Sequence, residues 1–128
     1  MELTPADIRT AWDAIRPGLA EIKTATQADW RLEDIYSLCL FGKASLYTVP
    51  EGFAILVRME NEWTGEPYLL ALACHGEGNV QERYWPQIQK IATDAGCKAV
   101  KCFSPRRGFE RAGWTVEYVC YRRDVNDG

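Results

Sequence analysis

The sequence predicts a mixed α/β (α+β) fold. Two helices should lead into an antiparallel meander, followed by a parallel strand–helix–strand pair and a closing antiparallel strand. Three observations predict it. Apolar residues recur at helical spacing up to about residue 41, the pattern turns to period two from Ala44 to Cys74, and a single helical stripe then separates two short apolar runs. A strand, a helix and a second strand in that order form a right-handed parallel crossover.

The first helix opens at Thr4-Pro5-Ala6-Asp7. Thr4 is the expected cap, Pro5 suits the first helical position, and Asp7 suits the first turn, where negative charge is favoured. Ile8, Trp12, Ile15, Leu19 and Ile22 form its stripe, and Pro17-Gly18 is expected to kink or break it. A second helix is expected over Ala28 to Phe41, with Leu32, Ile35, Leu38 and Cys39 on one face and Gly42 as its stop.

Ala44 to Val49 reads as a strand, and Pro50-Glu51-Gly52 as a turn. Phe53, Ile55, Val57 and Met59 then alternate with Ala54, Leu56, Arg58 and Glu60 in a long strand, and Asn61 to Pro67 is a polar loop. Tyr68 to Cys74 is nearly continuously apolar, as befits a central strand covered on both faces.

After His75-Gly76-Glu77-Gly78, Asn79 and Glu82 form a capping-box pair for the next helix. Tyr84, Ile88, Ile91 and Ala95 are its stripe, and Gly96 its end. Pro86 conflicts with a regular helix, so either the helix kinks there or its regular part starts near Trp85. Ala99 to Phe103 is the next strand, Arg106 to Ala112 a short helical piece closed by Gly113, and Thr115 to Arg122 the closing strand. The first residues and the Asn126-Asp127-Gly128 tail are the expected disordered ends.

Composition narrows the function. The 128 residues fit one domain, 1–128, and 47% hydrophobic with 26% charged residues is a globular composition. A net charge of -3 gives no basic footprint for nucleic acid. No apolar run reaches a membrane span and no secretory leader is seen, so a cytoplasmic location, or a particle assembled there, is expected. The five cysteines, Cys39, Cys74, Cys97, Cys102 and Cys120, read as free thiols, and no ligand spacing calls for a metal. Among the aromatics, Trp12 and Trp114 fit the core, and Trp63 is the one expected in solvent; Trp63 and Trp85 are candidates for an interaction surface.

From the meander onward this order resembles the GNAT (N-acetyltransferase-like) superfamily, over roughly Ala44 to Tyr121. Gly76-Glu77-Gly78-Asn79 between strand and helix looks like the second half of the family's pyrophosphate loop, and Gly108-Phe109-Glu110-Arg111-Ala112-Gly113-Trp114 like its closing segment. The resemblance implies acetyl-CoA as cofactor, no metal, and a small amine as acceptor. It assigns Leu72, Cys74, Gly76, Glu77, Gly78, Asn79 and Val80 to the cofactor. The physical basis is a Gly-rich turn that bares backbone N–H groups to a phosphate.

The sequence departs from that pattern. The family's loop Gln or Arg falls at Ala73, Glu77 adds negative charge, and the usual acidic residue is missing from Tyr68 to Cys74. Phe109 stands where the family has its proton-donating Tyr, so no catalytic residue is assigned. His75, Glu60 and Glu62 are the titratable groups nearest the expected site. The short chain also resembles small GNAT-like proteins of bacteriophages, which implies an alternative: a non-catalytic structural or virion-assembly protein with a protein partner.

Overall fold

The computed structural model describes residues 2–77, 79–104 and 109–125. Five strands form one sheet in the order β1-β2-β3-β4-β5: β1 (Thr4–Pro5), β2 (Ser45–Val49), β3 (Gly52–Glu60), β4 (Pro67–Gly76) and β5 (Val100–Lys101). β1 to β4 pair antiparallel, and β4 pairs parallel with β5. The helices are α1 (Ile8–Thr26), α2 (Leu32–Leu40), α3 (Val80–Arg83) and α4 (Trp85–Asp94), with a 3-10 turn at Phe109–Ala112.

The sheet separates two apolar clusters. On one face Ile8, Ile15 and Leu19 of α1 and Ile35 of α2 pack on Leu46, Phe53, Ile55 and Ala73. On the other, Val80, Tyr84, Ile88 and Ala92 pack on Ala54, Leu56, Leu69 and Ala71. The alternation of β3 therefore places apolar residues on both faces, as a central strand requires. No described helix is long and apolar enough to cross a membrane.

The N-terminus differs from the expectation. Thr4 and Pro5 pair with Thr48 and Tyr47 as an edge strand. Asp7 is the cap instead, its Oδ1 accepting from the Arg9 amide at 2.9 Å. An edge strand tolerates proline, because its missing N–H leaves only an outward position unpaired.

Pro17-Gly18 does not break α1, which runs unbroken from Ile8 to Thr26. Pro17 sits on the exposed side, whereas Gly18 faces the sheet: a Cβ there would lie 2.8 Å from both His75 Nδ1 and Phe53 Cε1. Gly18 marks a close approach of helix to sheet. The helix ends at Gln27, in the left-handed region at φ 54°. Lys23 then holds the following loop, donating from Nζ to the Ala28 carbonyl at 2.8 Å and the Trp30 carbonyl at 2.7 Å. That loop consumes the start of the expected second helix, so α2 begins at Leu32.

Pro86 has the second of its two anticipated outcomes. The helical segment pauses at Tyr84, and Pro86 falls in the first turn of α4, where no amide donor is needed.

Thr115 to Arg122, expected as the closing strand, takes part in no strand pairing among the described residues. β5 offers only two residues, and Val116, Tyr118, Val119 and Tyr121 stay exposed. Alternation alone supplies no ladder partner. Arg106 to Gly108 and the Asn126-Asp127-Gly128 tail lie outside the described residues.

Candidate functional site

β4 and β5 meet only at their beginnings. Leu69 pairs with Val100 and Leu70 with Lys101, and from Ala71 to Gly76 none of the described residues pairs with β4 on that side. A cleft of about 1890 Å³ opens there. Its walls are the second half of β4, the end of α1 with its loop, the start of α3, one side of α4, the stretch from Cys97 to Ser104 that contains β5, and residues from Phe109 to Cys120.

A β-bulge lies beside the parting. Ile55 pairs with Ala73 and Leu56 with Ala71, so Leu72 is the extra residue. A bulge bends its strand and increases its local twist, which turns the rest of β4 away from a straight parallel neighbour. It also shifts the facing of the strand: Cys74 packs with the α3–α4 cluster, and His75 stacks on Phe53 below α1.

The glycine at the end of β4 is there for room. Gly76 faces Gly52 in register, and a Cβ on Gly76 would lie 2.5 Å from the Glu51 carbonyl oxygen and 2.7 Å from Val80. The Glu77 amide donates to that same carbonyl at 3.1 Å. Asn79 caps α3, its Oδ1 accepting from the Glu82 amide at 3.3 Å. Within the loop and first turn, the amides of Glu77 and Glu82 are thus taken, and Asn79, Val80 and Gln81 line the cleft. α3 is only four residues long, so bare N–H groups rather than an extended helix dipole are what it presents.

Glu51 fastens this loop from behind. Its carboxylate accepts from the Tyr84 hydroxyl and from Arg83 Nη1 at 3.2 Å. Those bonds, Tyr84 first, hold the carboxyl below its usual range and raise the Tyr84 hydroxyl. Trp114 closes the opposite side, its ring tilted at 56° against Trp85 with centroids 5.5 Å apart, and its indole N–H donating to Glu82 at 3.3 Å.

The sequence-predicted site residues fall together in part. Leu72, Cys74, Gly76, Asn79 and Val80 line the cleft. Glu77 is exposed beside it, and Gly78 lies outside the described residues. Glu60 and Glu62 do not line it: they stand at the far β3–β4 hairpin, where Glu60 pairs with Arg58 at 3.2 Å. The periodicity that placed them could not say at which end of the sheet the strands part. Sequence reasoning missed Glu21, whose Oε2 lies 2.5 Å from His75 Nε2, because the two are 54 residues apart. The only local sign was Gly18, three residues before Glu21 on the stripe side of α1.

Cys74 sits in the cleft but is a poor nucleophile. Burial pushes its thiol up to about 11, against a hydrogen bond from Gln81 that works the other way. Near pH 8 roughly one such thiol in a thousand is thiolate. Iodoacetamide at about pH 8 is therefore expected to modify exposed Cys120 well before Cys74, as peptide mass mapping over time will show. Equal rates would mean that Cys74 is not desolvated.

No protein-family model matches the sequence, and no curated protein matches it. Solved structures do. A tetramutant of the BH1408 protein from Bacillus halodurans superposes with a TM-score of 0.76 at 6% identity, covering 98% of this chain and 100% of that one. The ribosomal-protein-alanine N-acetyltransferase from Brucella melitensis biovar Abortus 2308 gives 0.68 at 14% identity, over 98% and 100%. The fold is that of the GNAT acetyltransferases. An aminoglycoside acetyltransferase from an uncultured soil metagenomic sample, in complex with sisomicin, shares it with a TM-score of 0.64 at 9% identity, over 98% and 96%. The GNAT-like sheet read from the sequence, an antiparallel meander running into a parallel β4–β5 pair, is thus the observed one.

Proposed function

We propose that this GNAT-fold chain binds an acyl-CoA in the gap between β4 and β5 and passes the acyl group to an amine. The observation that carries this reading is the parting of the two strands after Leu70, beside the amides of Asn79 to Gln81. The edge of β4 from Ala71 to Gly76, unpaired on this side among the described residues, suits an extended, amide-bearing arm, which binds as an added strand would. The loop amides suit a phosphate at its end. Glu77 opposes such a charge, but it is exposed and its backbone turns toward Glu51. When bound, acyl-CoA supplies an activated thioester; the protein supplies position, and holding two reactants in register by itself removes much of an acyl-transfer barrier.

Calorimetry with acetyl-CoA, together with amide chemical shifts, tests this. The expected result is saturable heat, with shifts concentrated at residues 71–81. No heat and no shifts at millimolar acetyl-CoA would remove the reading. A protein-binding scaffold is the second reading, favoured by Trp63, 87% exposed at the hairpin tip, and Phe41, 74% exposed after α2. It expects a co-purifying protein partner that Trp63→Ala releases, and no response to acetyl-CoA.

A further inference from the structure

We infer that Glu21 receives the ammonium group of the acceptor and takes its proton, with His75 as the positioning residue that holds Glu21 at the cleft. This rests on the acyl-transfer reading above.

The imidazole is fixed on three sides. Its ring stacks on Phe53 with centroids 5.6 Å apart and planes at 19°. Nδ1 packs against α1 at Gly18, where even a methyl group would lie 2.8 Å away. Nε2 lies 2.5 Å from Glu21 Oε2. Neither ring nitrogen is thus turned to a substrate, and a general base needs a lone pair within reach of the proton it removes. His75 is the only histidine and sits in the cleft, yet its geometry makes it a holder of Glu21.

The carboxylate has the opposite exposure. The Glu21 side chain is 73% accessible while keeping its contact with a ring that is 34% accessible. Among the described residues no other group hydrogen-bonds to it. It projects from α1 across the face of β4 into the same cleft as Leu72, the bulged residue where the strand loses its β5 neighbour. The surrounding charge points the same way. The lining from α1 and its loop contains Glu21 and Asp29 and no Lys or Arg. Lys23, the cation nearest in sequence, is tied to the Ala28 and Trp30 carbonyls. The lysines of the cleft, Lys98 and Lys101, come from the β5 side, and Lys101 is paired with Glu117 at 2.7 Å; the α1 wall, with two carboxylates and no cation, suits a positively charged acceptor.

The step balances without another reagent. The acceptor ammonium gives one proton to the Glu21 carboxylate. The freed nitrogen lone pair forms the C–N bond to the thioester carbonyl carbon, and the C–S bond breaks with its electron pair on sulfur. The nitrogen's extra proton passes to that thiolate, giving an amide and a free thiol, and Glu21 returns its proton to solvent.

The sole histidine makes a direct test practical. The full chain, saturated with coenzyme A, is titrated with 1,4-diaminobutane or with uncharged 1,4-butanediol, and the imidazole 15N resonances of His75 are followed. The diamine is expected to shift Nε2 saturably and the diol not to. Glu21→Gln is expected to weaken the diamine by about tenfold or more, the worth of one charge-assisted hydrogen bond. In transfer assays Glu21→Gln should raise the diamine KM and lower kcat. His75→Gln, which keeps a donor, should recover most of what His75→Ala loses. Equal responses to diamine and diol, or an unchanged diamine affinity in a Glu21→Gln protein that still binds acetyl-CoA, would overturn this inference alone. Absence of acetyl-CoA binding in the unaltered protein would overturn it together with the reading beneath it.

Discussion

Gly52→Ala is expected to lower the unfolding free energy by about 3 kcal/mol, at the upper end of what overpacking costs. A Cβ at this position would lie 1.8 Å from the His75 carbonyl oxygen and 2.6 Å from the Gly76 Cα. Both are main-chain atoms of β4, a strand of the cleft wall, so no flexible side chain can move aside. The β3–β4 ladder, the longest in the sheet, would have to open at its Gly52–Gly76 end. Gly65→Ala is the informative comparison. Gly65 has φ 74° and nothing near its would-be Cβ, so only backbone strain of roughly 1 kcal/mol is expected there. Urea unfolding followed by tryptophan fluorescence reads both. A Gly52→Ala midpoint no lower than that of Gly65→Ala would show that the two strands are not so close.

Cys74→Trp is expected to reduce acetyl-CoA affinity by about a hundredfold or more, because it fills the gap where the ligand's arm must lie. Cys74 is half-buried on β4, paired with Ala54 of β3 but past the described β5 pairing, beside Gln81 and near Cys102. An indole there occupies the space that the parted strands leave open. A thermal melt and the near-ultraviolet dichroism of the variant show whether the core has kept its packing. A folded variant with undiminished affinity would place the ligand elsewhere.

Both predictions concern positions whose importance is unequally visible along the chain. Gly52 reads as an ordinary turn glycine after Pro50-Glu51, and nothing local says that a second glycine, Gly76, will face it across a ladder. Cys74 reads as a small hydrophobe in a buried run; that its run loses one neighbour after Leu70 is a property of β5, which lies some thirty residues later. The same separation explains Glu21. Helical periodicity sets it beside the apolar stripe of α1, but only packing brings it to His75.

The sequence by itself determined the element order from β2 to α4. It also determined the cap at Asn79, an irregularity at Pro86 whose form it left open between two outcomes, and the position of the loop that runs from Gly76 into α3. These follow from periods of two and 3.6 residues and from the backbone limits of proline and glycine, all settled within a few residues of chain. Only the tertiary structure decided four other matters. Pro17-Gly18 is a contact rather than a break, and Thr4–Pro5 pairs as an edge strand. Thr115 to Arg122 finds no ladder among the described residues, and β4 and β5 separate where they do. Each of these depends on which distant backbone arrives alongside. Hydrogen-bond partners and close contacts between segments tens of residues apart are set by how the layers stack, and the local pattern carries no record of that.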